Sequence, residues 1–130
     1  MAKATQFCIG LDNKPGTLAG LCGALKRGKV NIVAISVSDN ADCCWVRLVA
    51  SPVAAARAAL TKGRFNFCTQ QVLVLHVAHR PGVMQGIAAK LAKAGVNINY
   101  VYGSNAEGPS STLVLSTGNL DRAAKALKSV

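Results

Sequence analysis

The stretch Lys14-Pro-Gly-Thr-Leu-Ala-Gly-Leu-Cys-Gly-Ala-Leu-Lys-Arg-Gly-Lys-Val-Asn-Ile32 occurs a second time, in altered form, as Arg80-Pro-Gly-Val-Met-Gln-Gly-Ile-Ala-Ala-Lys-Leu-Ala-Lys-Ala-Gly-Val-Asn-Ile98. The two copies lie 66 residues apart, and both begin with Pro-Gly and end with Val-Asn-Ile. Further along the chain the offset becomes 67, so that Leu48 corresponds to Leu115. The sequence therefore predicts two copies of one structural unit, with one residue gained in the second copy.

The first copy has the pattern of a strand, a helix, two strands and a second helix. Residues 5–11 alternate as a strand does, and Pro-Gly then opens a helix with leucines at i, i+3 and i+7. Two further strands are predicted over residues 31–37 and 44–49. Ser51 is expected to cap the second helix, and residues 65–69 supply a fourth strand.

The second copy repeats this order from residue 71. Its first helix carries an apolar stripe of Met84, Ile87 and Leu91, and Asn119 is expected to cap its second helix. Little chain follows that helix, so the last strand of this copy is expected to be missing or a stub.

These elements predict an α+β protein of two tandem ferredoxin-like βαββαβ units, over residues 1–69 and 70–130. Each antiparallel sheet would carry its helices on one face. The other face, with Cys8 and Arg47 in the first unit and Val74 and His76 in the second, would be uncovered and suited to sheet packing or to a dimer.

The composition predicts a folded protein in a reducing compartment. Hydrophobic residues are 51% of the 130 residues, which is enough to form a core. No apolar run reaches the ~18 residues that a membrane span needs, and no secretory signal is recognisable. The five cysteines include no C-x-x-C pair. We expect reduced thiols in the cytoplasm, with no metal site and no cofactor.

The net charge of +10 suggests nucleic-acid binding as one alternative. The basic residues cluster toward the helix ends, where cations complement the helix dipole on a solvated face. An RRM shares this order of elements but stacks bases on aromatic residues of its first and third strands. Here Trp45 is the only aromatic candidate on the third strand, and Phe7 belongs to the helix-facing register. We expect no sequence-specific nucleic-acid binding; weak charge-driven binding stays open.

The sequence offers no plausible catalytic set. Residues 23–29 match the start of a phosphate-binding loop, but Val30 stands where Ser or Thr is needed. The run also lies at the end of a predicted helix, where the dipole repels phosphate. Only Asp39 and Asp42 are carboxylates close together in sequence, which leaves little material for acid–base catalysis. We expect that the protein is not an enzyme.

The two predicted strand-to-helix turns, residues 12–18 and 78–84, are the candidate ligand sites. Each places backbone N–H groups without intrahelical acceptors at a helix start, where anions bind readily. An asparagine follows each turn glycine by 15 residues, as Asn31 and as Asn97. A purely structural role would explain a single copy, because Pro-Gly begins helices well and Asn is a good turn residue. The matched spacing of two copies favours a ligand site.

The turn and the following Val-Asn-Ile together resemble a known family. Asp12-Asn-Lys-Pro-Gly16 with Lys29-Val-Asn-Ile32, and His79-Arg-Pro-Gly82 with Ala94-Gly-Val-Asn-Ile98, resemble the ACT domain, a small regulatory module that binds amino acids. The similarity covers nearly the whole chain as two units. It is closest to the small stand-alone tandem-ACT proteins of bacteria, which have no catalytic domain.

The resemblance implies an effector site at the interface between ACT units, with the ligand carboxylate held at the turn and the helix start. The residues that it assigns to the two sites are Asn13, Gly16, Thr17, Leu18 and Asn31 in the first unit and His79, Gly82, Val83, Met84 and Asn97 in the second. Ala78 and His79 replace Asp12 and Asn13 in the second copy, so the two sites cannot be chemically equal.

The function expected from these features is a non-catalytic regulatory module that binds a free amino acid. We expect a homodimer that acts on a metabolic enzyme or a regulator. Two alternatives stay open: a module that docks on its partner without an effector, and nucleic-acid binding driven by charge.

Overall fold

The computed structural model of the chain describes residues 1–38, 45–104 and 109–130. These residues form six strands and four helices, which confirms the predicted α+β class. In chain order the elements are β1 (Ala2–Gly10), α1 (Thr17–Arg27), β2 (Asn31–Val37), β3 (Val46–Ser51), α2 (Val53–Lys62), β4 (Asn66–Ala78), α3 (Val83–Lys93), β5 (Ile98–Ser104), β6 (Ser110–Thr117) and α4 (Leu120–Ala126).

The chain folds as two compact units. The N-terminal unit is Thr5–Gln70, and the C-terminal unit is Gln71–Val130 together with Met1–Ala4. The strands are hydrogen-bonded in the order β2-β3-β1-β4-β6-β5. β4 continues from one unit into the next, where the sequence predicted two separate strands. The division into separate domains at residues 69 and 70 stays a prediction.

The core of the N-terminal unit lies between its strands and its helices. β1 and β3 pair antiparallel, with Phe7 opposite Leu48. Phe7 and Ile9 are fully buried in one cluster with Leu21 and Leu25 of α1, as the strand alternation and the helical stripe predict. Val30, Val46, Ala50, Ala56 and Leu60 complete this cluster.

The C-terminal unit repeats this core with one departure from the prediction. Ile87 and Leu91 of α3 are buried with Leu73, Leu75 and Leu115. Met84, predicted to belong to the stripe, is 36% exposed, and Val83 packs against the core in its place. The prediction was wrong because the row of side chains that faces the sheet starts at Val83, the first residue of α3, and continues four and eight residues later with Ile87 and Leu91.

The beginning of the chain occupies the place of the missing last strand in the C-terminal unit. No strand follows α4 among residues 127–130, as predicted. β1 begins at Ala2, earlier than the predicted Thr5, and Met1–Ala4 belong to the C-terminal unit. β1 neighbours β4, and Gly10 lies beside Asn66. The antiparallel course of β1 therefore brings residues 2–4 alongside the second half of β4.

Part of the sheet face away from the helices is buried, contrary to the expectation of an open face, while His76 on the same face is exposed. Cys8 is only 8% exposed and Val74 only 7%. Gln6 and Ser116 on this face are fully buried, and Gln6 Nε2 lies 3.4 Å from Cys8 Sγ. These side chains are buried within a single chain, so no second copy is needed to cover them.

Two predicted helix caps had different outcomes. Asn119 caps α4 as predicted, since its Oδ1 accepts a hydrogen bond from the Arg122 N–H at 3.0 Å. α2 is capped by Pro52 and not by Ser51. Pro52 has extended backbone angles (φ −72°, ψ 149°) and therefore stands just outside the helix, one residue later than predicted.

Three helices end in the same hydrogen-bonding pattern. After α1, the Val30 N–H donates to the Leu25 carbonyl at 2.9 Å, and equivalent bonds close α2 and α3. The pattern requires one left-handed residue, which is Lys29 (φ 58°), Arg64 (φ 57°) and Gly95 (φ 72°) in turn. Glycine adopts this conformation without strain, whereas the β-carbon of Lys or Arg crowds the backbone. Two of these ends therefore carry a cation in a strained conformation.

We predict that Lys3→Ala loosens the strand formed by residues 2–4. Lys3 Nζ donates a hydrogen bond to Asp121 of α4, and this bond and the charge of Lys3 lower the pKa of Asp121. A lowered folded-state pKa means that the pair stabilises the unit above the ordinary carboxyl pKa and stops doing so as the pH falls through the lowered value.

Amide exchange of residues 2–4, followed by NMR, checks this prediction. At about pH 6 these amides should exchange faster in Lys3→Ala than in the parent, and the difference should vanish once Asp121 is protonated. Lys3→Arg, which keeps the charge, is the control. Equal exchange in the parent and in Lys3→Ala at neutral pH would contradict the role of this ion pair.

Candidate functional site

The turn from β1 into α1 is closed by one of its own side chains. Gly16 is the N-cap of α1, at φ 91°, and no side chain caps the helix. Thr17 Oγ1 donates to the Asp12 carbonyl oxygen at 2.7 Å and lies 3.1 Å from that of Lys14. Asn13 is exposed beside this closure. The Thr17 hydroxyl is therefore occupied by the turn itself.

The turn from β4 into α3 has the same backbone but lacks the side-chain closure. Gly82 is the N-cap of α3, at φ 90°, again without a side-chain cap. The Val83 N–H donates to the Arg80 carbonyl at 3.5 Å, much as the Thr17 N–H donates to the Lys14 carbonyl at 3.4 Å, but Val83 has no hydroxyl. A β-carbon at Gly82 would meet no atom within 4 Å, and neither would one at Gly16. The backbone at both helix starts is therefore open to a ligand.

His79 is positioned by the neighbouring strand β6. The pairing of β4 with β6 places Val77 opposite Ser111, and Ser111 Oγ lies 3.2 Å from His79 Nδ1. The His79 N–H donates to the Pro109 carbonyl at 2.8 Å. Ser111 could not be identified from the sequence, because its position beside His79 depends on strand register.

Two cavities flank the second turn. One has a volume of about 430 Å³, within the range of small-molecule sites, and the other about 150 Å³. Gly82 lines the larger cavity, Met84 the smaller, and Val83 both. The larger cavity is also lined by His76, Val77, Ala78, Arg80, Gly86, Ile87, Lys90, Ser129 and Val130, and the smaller by Val77, Ala78, His79, Arg80, Ser111 and Leu113.

The side chains around these cavities favour an anion. Arg80 lines both cavities and Lys90 the larger, whereas no Asp or Glu is among the lining residues. Lys90 Nζ donates to Ser129 Oγ at 3.0 Å, and His76 Nδ1 lies 3.1 Å from Thr112 Oγ1. The N-terminus of α3 adds a partial positive charge. A small carboxylate fits this environment.

Four of the five residues predicted in each unit lie together, and the asparagines lie elsewhere. Asn31 lines a cavity beside the end of α1, with Lys26 and Lys29. α1 has 11 residues and so separates Asn31 from the first turn by about 16 Å. Asn97 donates to Asn99 Oδ1 at 3.1 Å, just before β5. Because each helix runs back along the sheet, its asparagine is at the opposite end of the unit from the turn. The residues that do share a turn are Asn13, Gly16, Thr17 and Leu18 in the first unit and His79, Gly82, Val83 and Met84 in the second.

The described residues contain no candidate metal site, no disulfide and no helix suited to span a membrane. No group of three or more His, Cys, Asp or Glu among them is arranged to hold a metal ion. Cys8, Cys22 and Cys68 form no disulfide among the described residues. Cys43 and Cys44 lie outside those residues, as do Asp39 and Asp42. None of the helices in the described part of the chain is long and apolar enough to span a membrane.

Comparison with known proteins identifies the class. A family model described as an ACT domain pair matches residues 2–129, and the chain belongs to this family. The resemblance drawn from the two turn motifs is thereby confirmed. No curated protein matches the chain in sequence.

Solved structures with this fold include regulatory parts of aspartate kinases. Protein BT0572 from Bacteroides thetaiotaomicron is 27% identical with a TM-score of 0.88, over 98% of this chain and 88% of that one. The regulatory subunit of aspartate kinase from Thermus thermophilus, in a ligand-free form, is 15% identical with a TM-score of 0.65, over 98% and 91%. A putative C-terminal regulatory domain of aspartate kinase from Porphyromonas gingivalis is 14% identical with a TM-score of 0.61, over 98% and 93%. At such low identity the two kinase domains share the fold alone with this chain.

We predict that Thr17→Val lowers the free energy of unfolding by about 1 kcal/mol, because the isosteric change removes the hydroxyl that closes the first turn. Thr17→Ser keeps the hydroxyl and is the control. Urea denaturation followed by circular dichroism measures both variants. If Thr17→Val were as stable as Thr17→Ser, the hydroxyl would not be what closes this turn.

Proposed function

We propose that the chain is a non-catalytic regulatory module that binds a free amino acid at the turn between β4 and α3. The observation that most supports this is the cavity of about 430 Å³ that Gly82 lines, at the start of an 11-residue helix. Membership of the ACT domain pair family agrees with the proposal. The position of the site at an interface between ACT units, which the family resemblance implies, is part of the proposal.

The ligand carboxylate would accept hydrogen bonds from the first-turn amides of α3, which lack acceptors within the helix. Gly82 lets the carboxylate approach the backbone, and Arg80 would stabilise its charge. Charge-assisted hydrogen bonds contribute about 1.5–3 kcal/mol each. Two of them, together with burial of the ligand side chain, are sufficient for micromolar affinity, which corresponds to about −8 kcal/mol.

The second turn suits this role better than the first. In the first turn Thr17 donates its hydroxyl to the turn carbonyls, and Lys14 Nζ lies 3.8 Å from the Asp12 carboxylate. In the second turn Val83 has no hydroxyl, and His79 is held by Ser111 at the edge of the smaller cavity. His79 and Ser111 would therefore meet the polar atoms of the ligand.

Binding would become regulation through a shift between conformations. A ligand changes such an equilibrium only by its difference in affinity for the two states. Contacts to the α3 start and to Ser111 of β6 would tie these elements together and favour one arrangement of the C-terminal unit. A metabolic enzyme or regulator that binds this arrangement would respond to the amino acid. A reducing cytoplasm, expected from the sequence, is the compartment in which we propose that such a regulator acts.

We also propose that two chains associate through β2. This strand is at one end of the strand order, and its sequence contains no proline and no charged residue. Ile32, Val33, Ile35 and Val37 remain 41%, 40%, 38% and 41% exposed. Edge strands of this kind pair readily with another copy.

Ile35→Lys should convert the dimer into a monomer, because a charge on the edge strand opposes pairing with a second copy. Sedimentation velocity measures the state of both proteins, with Val53→Lys as an exposed control on α2. A parent chain that sediments as a monomer at all concentrations would contradict the proposed dimer.

Isothermal titration calorimetry with each of the twenty amino acids tests the proposed ligand class. At least one amino acid should bind with a Kd of about 100 μM or tighter. No binding of any of them at millimolar concentration would rule out the amino-acid site and favour a module that docks without an effector.

Gly82→Ala and Gly16→Ala form a matched pair for locating the site, since both put a β-carbon at a left-handed N-cap with open surroundings. Gly82→Ala should weaken binding about tenfold or more, and Gly16→Ala less than about twofold. Melting temperatures of the two variants control for the shared backbone strain. The reverse order of effects would assign the site to the first turn.

A further inference from the structure

The ends of α1 and α2 in the N-terminal unit carry a group of cations that the proposed amino-acid site does not use. We call the group the basic cluster; it consists of Lys26, Arg27, Lys29, Lys62 and Arg64. A cavity of about 270 Å³ between the helix ends is lined by Arg27 and Lys62 over a floor of Ala24, Gly28, Ala59 and Gly63. The helices approach so closely that a β-carbon at Gly28 would lie 3.0 Å from that of Ala59. The two sets of cations therefore belong to one surface.

The side chains of the basic cluster have no partner among the described residues. None of the five forms an ion pair or a side-chain hydrogen bond there. The carbonyls at the helix ends do not need them, because backbone amides already close both helices: Val30 to Leu25 at 2.9 Å and Phe65 to Leu60 at 3.0 Å. Capping of the helices therefore does not explain these cations.

The backbone at two of these positions strengthens this conclusion. Lys29 and Arg64 are the left-handed residues that end α1 and α2, where glycine is the unstrained choice. The second unit has Gly95 at the position that corresponds to Lys29. The fold thus accepts glycine at this place, and the N-terminal unit carries a charge there at the expense of backbone strain.

We propose that the basic cluster is the surface on which an acidic segment of the regulated protein docks. This inference rests on the proposed regulatory function, which requires a protein partner. Asp12 is the only acidic residue among the described residues of this unit, and it lies by Lys14, so little opposes an acidic partner. Complementary charge would guide and orient the encounter.

The same surface fits nucleic acid less well. The amides of Gly28, Lys29, Val30, Gly63 and Arg64 donate to helix carbonyls and are not available to hold a phosphate. Phe65, the aromatic residue beside the cluster, packs against the hydrophobic core and offers no platform for a base. Contact is left to flexible side chains, which suits the carboxylates of an acidic protein segment.

The strained positions permit a test that separates docking from folding. Lys29→Gly with Arg64→Gly removes two charges and relieves the strain, so this double variant should melt no lower than the parent. Lys93→Gln with Lys125→Gln removes two charges from the helix ends of the C-terminal unit and is the matched control.

Fluorescence anisotropy with a labelled peptide of about twelve residues, half of them Glu, measures docking at low ionic strength. The parent should bind it, and Lys29→Gly/Arg64→Gly should bind about fivefold more weakly, with less than about a twofold loss in the control. A peptide with Gln in place of Glu should not bind.

Three results would overturn the proposal. The first is that the parent fails to bind the Glu peptide, and the second is that the two double variants lose affinity equally. The third is that a single-stranded oligonucleotide of matched charge binds more tightly than the peptide and loses more affinity in Lys29→Gly/Arg64→Gly. The last result would assign the surface to nucleic acid. Calorimetry of the same variant with the amino-acid ligand keeps this test apart from the proposed function, because that binding should be unchanged.

Discussion

The backbone torsion at the two turn glycines is the constraint on which the arrangement depends. At φ 91° and 90°, Gly16 and Gly82 let a strand reverse into a helix without any side-chain cap. The helix then lies back along the sheet and buries residues such as Leu21 or Ile87. The same torsion leaves each helix start without a side-chain cap. The feature that builds the C-terminal unit is therefore also the place where we propose that the ligand carboxylate binds.

The two units have diverged at this shared feature. Thr17 donates its hydroxyl across the first turn, whereas Val83 has no hydroxyl and the second turn lies beside a cation-lined cavity. Divergence appears again at the helix ends, where Lys29 in one unit corresponds to Gly95 in the other. We infer that the C-terminal unit binds the ligand and that the N-terminal unit binds an acidic partner.

Features with a local signal were predictable, and those that depend on strand pairing were not. Helical periodicity identified Leu21, Leu25, Ile87 and Leu91 as core, and a short polar residue before a helix identified the Asn119 cap. Residues 2–4 were not recognised as a strand, because their pairing with distant β4 is what orders them. The burial of Cys8 and the position of Ser111 likewise follow from tertiary structure. The family resemblance assigned Asn31 and Gly16 to ligand binding, and within one unit the 11 residues of α1 separate the two.

Binding at the second turn is the central proposal, and an NMR titration locates that binding directly. ¹⁵N-labelled chain would be titrated with whichever amino acid binds most tightly. The amide signals of Gly82, Val83 and Met84 should shift and saturate together, while those of Gly16, Thr17 and Leu18 stay in place. Saturating shifts at the first turn with none at the second would contradict it.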